Sequence, residues 1–140
     1  MTVIDMDSLQ EGQELQSLTK PAISKVQLVK YAGASGDFNP LHTDDAFAQQ
    51  IGMDGVIAHG MLIMGFMGEY MMNIAGEIAE PTQFSMRFGA MSRPGDVITC
   101  TGKVEKIFEK DGKRFVSIQL RAQKSSEEVV GTGKCELRFF

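Results

Sequence analysis

One stretch restricts the fold more than any other: VIAHGMLIMGFMGEYMMNIAGE, residues 56–77, after which the periodicity changes at Pro81. Ile57, Met61, Met64, Gly68, Met71 and Ala75 recur at helical spacing. Leu62, Ile63, Phe66 and Met67 make the opposite side apolar too, which predicts a helix buried on all sides. Gly65 and Gly68 weaken helix propensity and are expected to let the helix approach a sheet closely. Beyond Pro81 apolar residues alternate: Phe84, Met86, Phe88 and Ala90, then Val116, Ile118, Leu120 and Ala122, then Cys135, Leu137 and Phe139. VITCTGKVEKIF reads as a further strand, SRPGD and KSSEE as turns, and Asp111–Gly112 as the centre of a hairpin. One long helix followed by antiparallel strands is an α+β arrangement, with the sheet packed on the helix. A single sheet leaves a face or an edge to cover, and a dimer does so easily.

The first half reads less regularly. Residues 1–20 are an extended lead-in, with a short strand near Glu14–Leu18. Ser24–Gln27 has capping-box spacing and predicts a short helix to about Gly33. Pro40 pushes Asn39 out of helical angles, so GDFNPLH is read as loop. Thr43, followed by Asp44 and Asp45, predicts a helix start with a hydroxyl cap, and that helix runs to about Gln50. No repeat, low-complexity tract or linker interrupts the chain, and 140 residues suggest one domain, 1–140.

Composition narrows the function. The net charge is −4 without a basic run, which argues against nucleic acid as a partner. MLIMGFMG is too short to span a membrane, and the acidic start MTVIDMDSLQEG does not resemble a signal peptide. A cytoplasmic protein without membrane contact is expected. Cys100 and Cys135 are far apart with no CxxC partner, so no metal is expected there and both read as reduced packing residues.

The chemistry concentrates in two short motifs. SGDFNPLH, residues 35–42, places Asp37 and His42 on either side of a proline-containing turn, where both side chains can reach one water. An imidazole that titrates near neutral pH suits proton transfer there. The blander alternative makes Asp37 an Asx-turn former and His42 a satisfied surface residue. AHGM, residues 58–61, sets His59, Gly60 and Met61 at the start of the long helix. Amides in a first helical turn lack intrahelical acceptors, and glycine admits a ligand close to the backbone, so an oxyanion fits there. The bland counterpart is a simple helix cap. The methionine-rich helix fits either plain core or an adaptable acyl-chain lining.

Together, YAGASGDFNPLHTDDAFA at 31–48 and AHGMLIMG at 58–65 resemble the MaoC-like, or type 2, enoyl hydratase family. That family includes (R)-specific enoyl-CoA hydratases and 3-hydroxyacyl-[acyl carrier protein] dehydratases. The resemblance implies a hot-dog fold, an antiparallel sheet wrapped around a long central helix, usually dimeric, with the site near the interface. It implies Asp37 and His42 as catalytic residues and Gly60 as the amide facing a thioester oxygen. His59 and Met61 flank that amide as substrate-binding candidates, and Asn39 and Pro40 shape the loop. Some relatives carry a serine at the position of Gly68. The implied activity is reversible hydration of trans-2-enoyl thioesters of CoA or acyl carrier protein to (3R)-3-hydroxyacyl thioesters, in fatty-acid or polyhydroxyalkanoate metabolism. No cofactor or metal is implied. The implied assembly is a homodimer or higher homo-oligomer, with a heterodimer as the variant. Two rivals remain: a hot-dog acyl-CoA thioesterase, and the acyl-binding subunit of a heterodimeric dehydratase. Arg87 and Arg93 are candidate phosphate contacts, with plain surface charge as the alternative.

Overall fold

The computed structural model describes residues 1–140. Its elements, in chain order, are β1 (Leu18–Thr19), α1 (Lys25–Ser35), a 3₁₀ turn (Pro40–His42), α2 (Asp45–Gln50), α3 (Gly60–Ala75), β2 (Ala79–Phe88), β3 (Ile98–Lys110), β4 (Lys113–Lys124) and β5 (Val129–Phe139). The five strands form one antiparallel sheet in the order β1-β3-β4-β5-β2, with α3 in its curl. This is the hot-dog arrangement.

Local chemistry explains most boundaries. Ser24 Oγ accepts the Gln27 N–H at 3.1 Å and starts α1. Gly36, at φ +77°, ends it in the left-handed conformation and turns the chain into the motif loop. Thr43 does not cap α2 as expected. Asp44 does, its carboxylate accepting from Ala46 and Phe47, because a charged acceptor binds first-turn amides better than a neutral hydroxyl. GDFNPLH is not irregular loop throughout: its last three residues close a 3₁₀ turn, with Asn39 Oδ1 accepting the Leu41 N–H. The early strand is two residues, Leu18–Thr19, with an isolated bridge from Glu14 to Lys103. The lead-in also packs: Ile4 and Leu9 are buried, and the Ile4 N–H bonds the Ile74 carbonyl at 2.9 Å.

The sheet follows its alternation. Val116, Ile118, Leu120 and Ala122 of β4 and Cys135, Leu137 and Phe139 of β5 face the core. Asp111 and Gly112, both at positive φ, make the β3–β4 hairpin. Both cysteines are free and buried, and burial pushes each thiol up to about 12.

The long helix departs from expectation in two ways. It begins at Gly60, and residues 56–58 lie outside any helix or strand. Nor is it buried all round: Leu62, Ile63, Phe66, Met67, Tyr70, Met71 and Ile74 are in the core, whereas Met61, Gly65, Glu69 and Met72 are exposed. One curled sheet covers only part of a helical cylinder. Gly68 does meet β2, where an added Cβ would lie 3.6 Å from the Phe84 ring, but Gly65 faces open space.

The tightest backbone approach is where β2 lies on β5. Gly133 pairs with Met86, and a Cβ at Gly133 would run into the Ser85 carbonyl oxygen. The obstacle is backbone, so no rotamer relieves it. Gly133→Ala is expected to destabilise the fold by about 1–3 kcal/mol, as overpacking commonly does. Urea denaturation checks this, and an unchanged midpoint would show that β2 and β5 are less tightly joined.

Candidate active site

The site is built where the motif loop meets the run of residues before α3. Two short segments are zipped together: the Ile57 N–H donates to the Leu41 carbonyl at 3.2 Å, and His42 Nδ1–H donates to the Ile57 carbonyl at 2.8 Å. A carbonyl only accepts, so this bond puts the proton of a neutral His42 on Nδ1. Nε2 is left with a free lone pair. It faces the Asp37 carboxylate, with Nε2 to Oδ2 at 3.8 Å.

Asp37 does two things. Its Oδ1 accepts the Asn39 N–H at 3.2 Å, an Asx-turn. Its Oδ2 remains turned toward His42, and the side chain is 52% exposed. The Asx-turn expected of this residue is present, and it leaves the second carboxylate oxygen on the side of His42. Asn39 and Pro40 shape the turn, and the His42 N–H closes it on the Asn39 carbonyl at 3.0 Å.

The second motif lands against the first. His59 lies behind His42, at only 2% exposure. The two rings stack with centroids 3.9 Å apart, and Tyr31 meets His59 edge-on at 4.8 Å. Asp37, His42 and His59 place ligand atoms within 4.8 Å of one another, a spacing a metal ion could use. The stacked planes, 24° apart, hold the in-plane nitrogen lone pairs of the two rings in nearly parallel layers, which does not suit convergence on one ion.

Gly60 is the first residue of α3, so its N–H has no intrahelical acceptor and sits at the positive helix end. The Phe88 ring rests beside it, 3.2 Å from where a Cβ would stand. Met61, at 56% exposure, opens onto the outer side of the helix. Asp37, His42, His59 and Gly60 thus come together, while Met61 stands at the margin. Arg93 lies in the segment whose Ser92 carbonyl accepts the Ala58 N–H, and it pairs loosely with Asp54 at 3.8 Å. Arg87 is elsewhere, lining a polar concavity of about 1160 Å³ on the sheet's outer face, away from these residues.

Sequence reasoning missed three participants. The Ile57 carbonyl sets the tautomer, but backbone groups leave no mark in a motif. Phe88 was read only as part of a strand. Asp45 was read only as an early helix acid, yet it ties three segments: Oδ1 accepts the Val56 N–H at 3.0 Å and Oδ2 receives Lys25 Nζ at 2.7 Å. The lysine bond and then the amide hold its carboxyl below the usual carboxylate value. A depressed folded-state value stabilises above the normal carboxylate range and is lost as pH falls through it. Asp45→Asn is therefore expected to lower the melting temperature at pH 7. The difference from the native chain should narrow as pH falls below the ordinary carboxylate range, read by thermal denaturation across pH; a pH-independent difference contradicts this account.

Comparison with known proteins agrees with this geometry. Residues 8–128 match the family model described as MaoC like domain. The (R)-specific enoyl-CoA hydratase of Rhodospirillum rubrum is 32% identical over 125 residues, covering 89% of this chain and 84% of that protein. The solved (R)-hydratase of Aeromonas caviae, described as involved in PHA biosynthesis, superposes with a TM-score of 0.83 at 25% identity, covering 95% of this chain and 98% of that one. A fatty acid synthase beta subunit of Cochliobolus carbonum is 32% identical over 102 residues, and this chain spans only 5% of its length.

Proposed function

The chain belongs to the MaoC-like domain family, and from that membership we propose that residues 1–140 form one catalytic unit, a hydro-lyase that interconverts trans-2-enoyl and (3R)-3-hydroxyacyl thioesters. Relatives named as (R)-specific enoyl-CoA hydratases and as a 3-hydroxyacyl-thioester dehydratase support the reaction class. The observation that carries the reading is the 3.8 Å gap between His42 Nε2 and Asp37 Oδ2. It is too long for a direct hydrogen bond, but one water can donate a hydrogen to each acceptor at ordinary distance. The oxygen lone pair of that water is then free to attack.

The substrate's thioester oxygen is taken to lie at the Gly60 N–H, which stabilises the charge of the enolate. Water oxygen bonds to C3 while His42 Nε2 takes its proton. The proton that His42 has taken then passes through the Asp37 carboxylate to C2, while the added oxygen keeps its other hydrogen as the 3-hydroxyl; both groups return to their starting forms, and the reverse path is dehydration. The same two groups serve both directions, each step reversed. The absence of a side chain at Gly60 leaves the amide open, with Phe88 beside the approach. CoA is the simplest carrier to test, and acyl carrier protein is the alternative donor of the same thioester.

We also propose that a second copy completes the assembly along β2. That strand is a sheet edge of ten residues, and its Thr82, Gln83, Ser85 and Arg87 are exposed. The open stripe of α3, Met61, Gly65 and Met72, is also unpartnered. An edge of that length normally needs cover.

With trans-2-butenoyl-CoA and longer enoyl-CoAs, loss of the conjugated absorbance without free thiol is expected. Asp37→Asn and His42→Ala are each expected to lower kcat by about 10²–10⁴-fold while the chains remain folded. Release of free thiol instead would assign a thioesterase. Light scattering on the purified chain is expected to give twice the chain mass, and Ser85→Arg to shift it toward the monomer; a native monomer rejects the edge-pairing proposal.

A further inference from the structure

His59 has an occupation that substrate contact does not explain. It is 2% exposed, so no acyl thioester reaches it without displacing His42 or Tyr31. Its Nε2 meets the Asp37 carbonyl at 3.2 Å. Since the carbonyl only accepts, Nε2 carries the hydrogen, and the buried Nδ1 is left without a partner. One face of the ring supports His42, while its edge holds the backbone of Asp37. His59 therefore touches both groups that define the 3.8 Å gap, one through stacking and the other through a hydrogen bond.

We infer that His59 is a positioning residue that sets the Asp37–His42 separation from behind. This inference rests on the hydratase reading above. The other bonds at Asp37 are local to the motif loop, its N–H donating to Ser35 Oγ at 3.2 Å and its Oδ1 accepting the Asn39 N–H, so the His59 contact is the bond that ties this main chain to a distant segment. Without the Nε2–H bond, the carbonyl and with it the carboxylate are free to drift. A misplacement of about 1 Å in such a constellation costs on the order of 100-fold in rate.

The substitutions separate the two contacts. Gln places an amide N–H near the position of Nε2, whereas Phe keeps an aromatic face but has no donor. In the enoyl-CoA assay, His59→Phe is expected to lower kcat by about 10- to 100-fold with KM nearly unchanged. His59→Gln is expected to recover most of that loss. Native-like kcat in His59→Phe, or a rise in KM alone, overturns the inference; the second would make His59 a substrate contact. Equal loss in both variants, with melting temperatures retained, also overturns the role of the donor.

A second readout does not depend on turnover. The chain has only two histidines, so long-range ¹H–¹⁵N spectra report two imidazoles. His42 is expected as the Nδ1–H tautomer and His59 as the Nε2–H tautomer. His59→Phe is expected to shift or broaden the Asp37 amide and His42 ring signals, and His59→Gln to leave them near their native positions. A His59 ring protonated on Nδ1, or signals indifferent to His59→Phe, rejects the inference. If the native chain hydrates no enoyl thioester, the proposed reaction fails, and these spectra still decide whether His59 holds the loop.

Discussion

The hydrogen bond from His42 Nδ1 to the Ile57 carbonyl is the contact on which the candidate site depends. It joins a loop that follows α1 to the run that enters α3, two segments fifteen residues apart in sequence. It also decides which nitrogen of the imidazole is free. A histidine at the same place without that acceptor would have either tautomer, and its basic nitrogen would face the Asp37 carboxylate only part of the time. The neighbouring bond from the Ile57 N–H to the Leu41 carbonyl fixes the register of the two segments. In that register His59 falls behind His42 and Gly60 falls at the helix start.

Around this junction the molecule is held from several directions. Asp45 secures Val56 and Lys25, so α1, α2 and the run before α3 are joined at one side chain. The Ala58 N–H bonds the Ser92 carbonyl, which attaches the same run to the turn between β2 and β3. The α3 helix is then carried on the sheet through its large apolar side, with Met67, Tyr70 and Ile74 fully buried. Stability and site geometry share these contacts. The sheet fixes the helix, the helix start presents the Gly60 amide, and the run that leads to it fixes His42.

Several features were legible because they depend on short-range chemistry. Alternation identified the long strands, since a period of two buries one face of each. The Asp-Gly hairpin and the Ser24 cap followed from local dihedral and hydrogen-bond preferences. The pairing of Asp37 with His42 was legible because six residues containing a proline turn leave the ends close together. The extent of α3 burial was not legible. Apolar residues around the whole circumference state what a helix could bury, and whether Met61 and Met72 find cover depends on how far one sheet curls. The position of His59 was also hidden: sequence set it beside Gly60, and the fold turned its ring toward Asp37 and His42.

The sequence by itself determined the ingredients and their local form: the helix and strand periods, the turn that holds Asp37 and His42, and a glycine at a helix start. These are set by interactions within a few residues, which the chain carries wherever it goes. Only the tertiary structure decided that the Ile57 carbonyl selects the tautomer of His42, that His59 stacks behind it, and that Phe88 lies against Gly60. Those outcomes join residues distant in the chain through backbone carbonyls and ring faces. Such groups are present along much of any chain, so their meaning depends on what the fold brings to them.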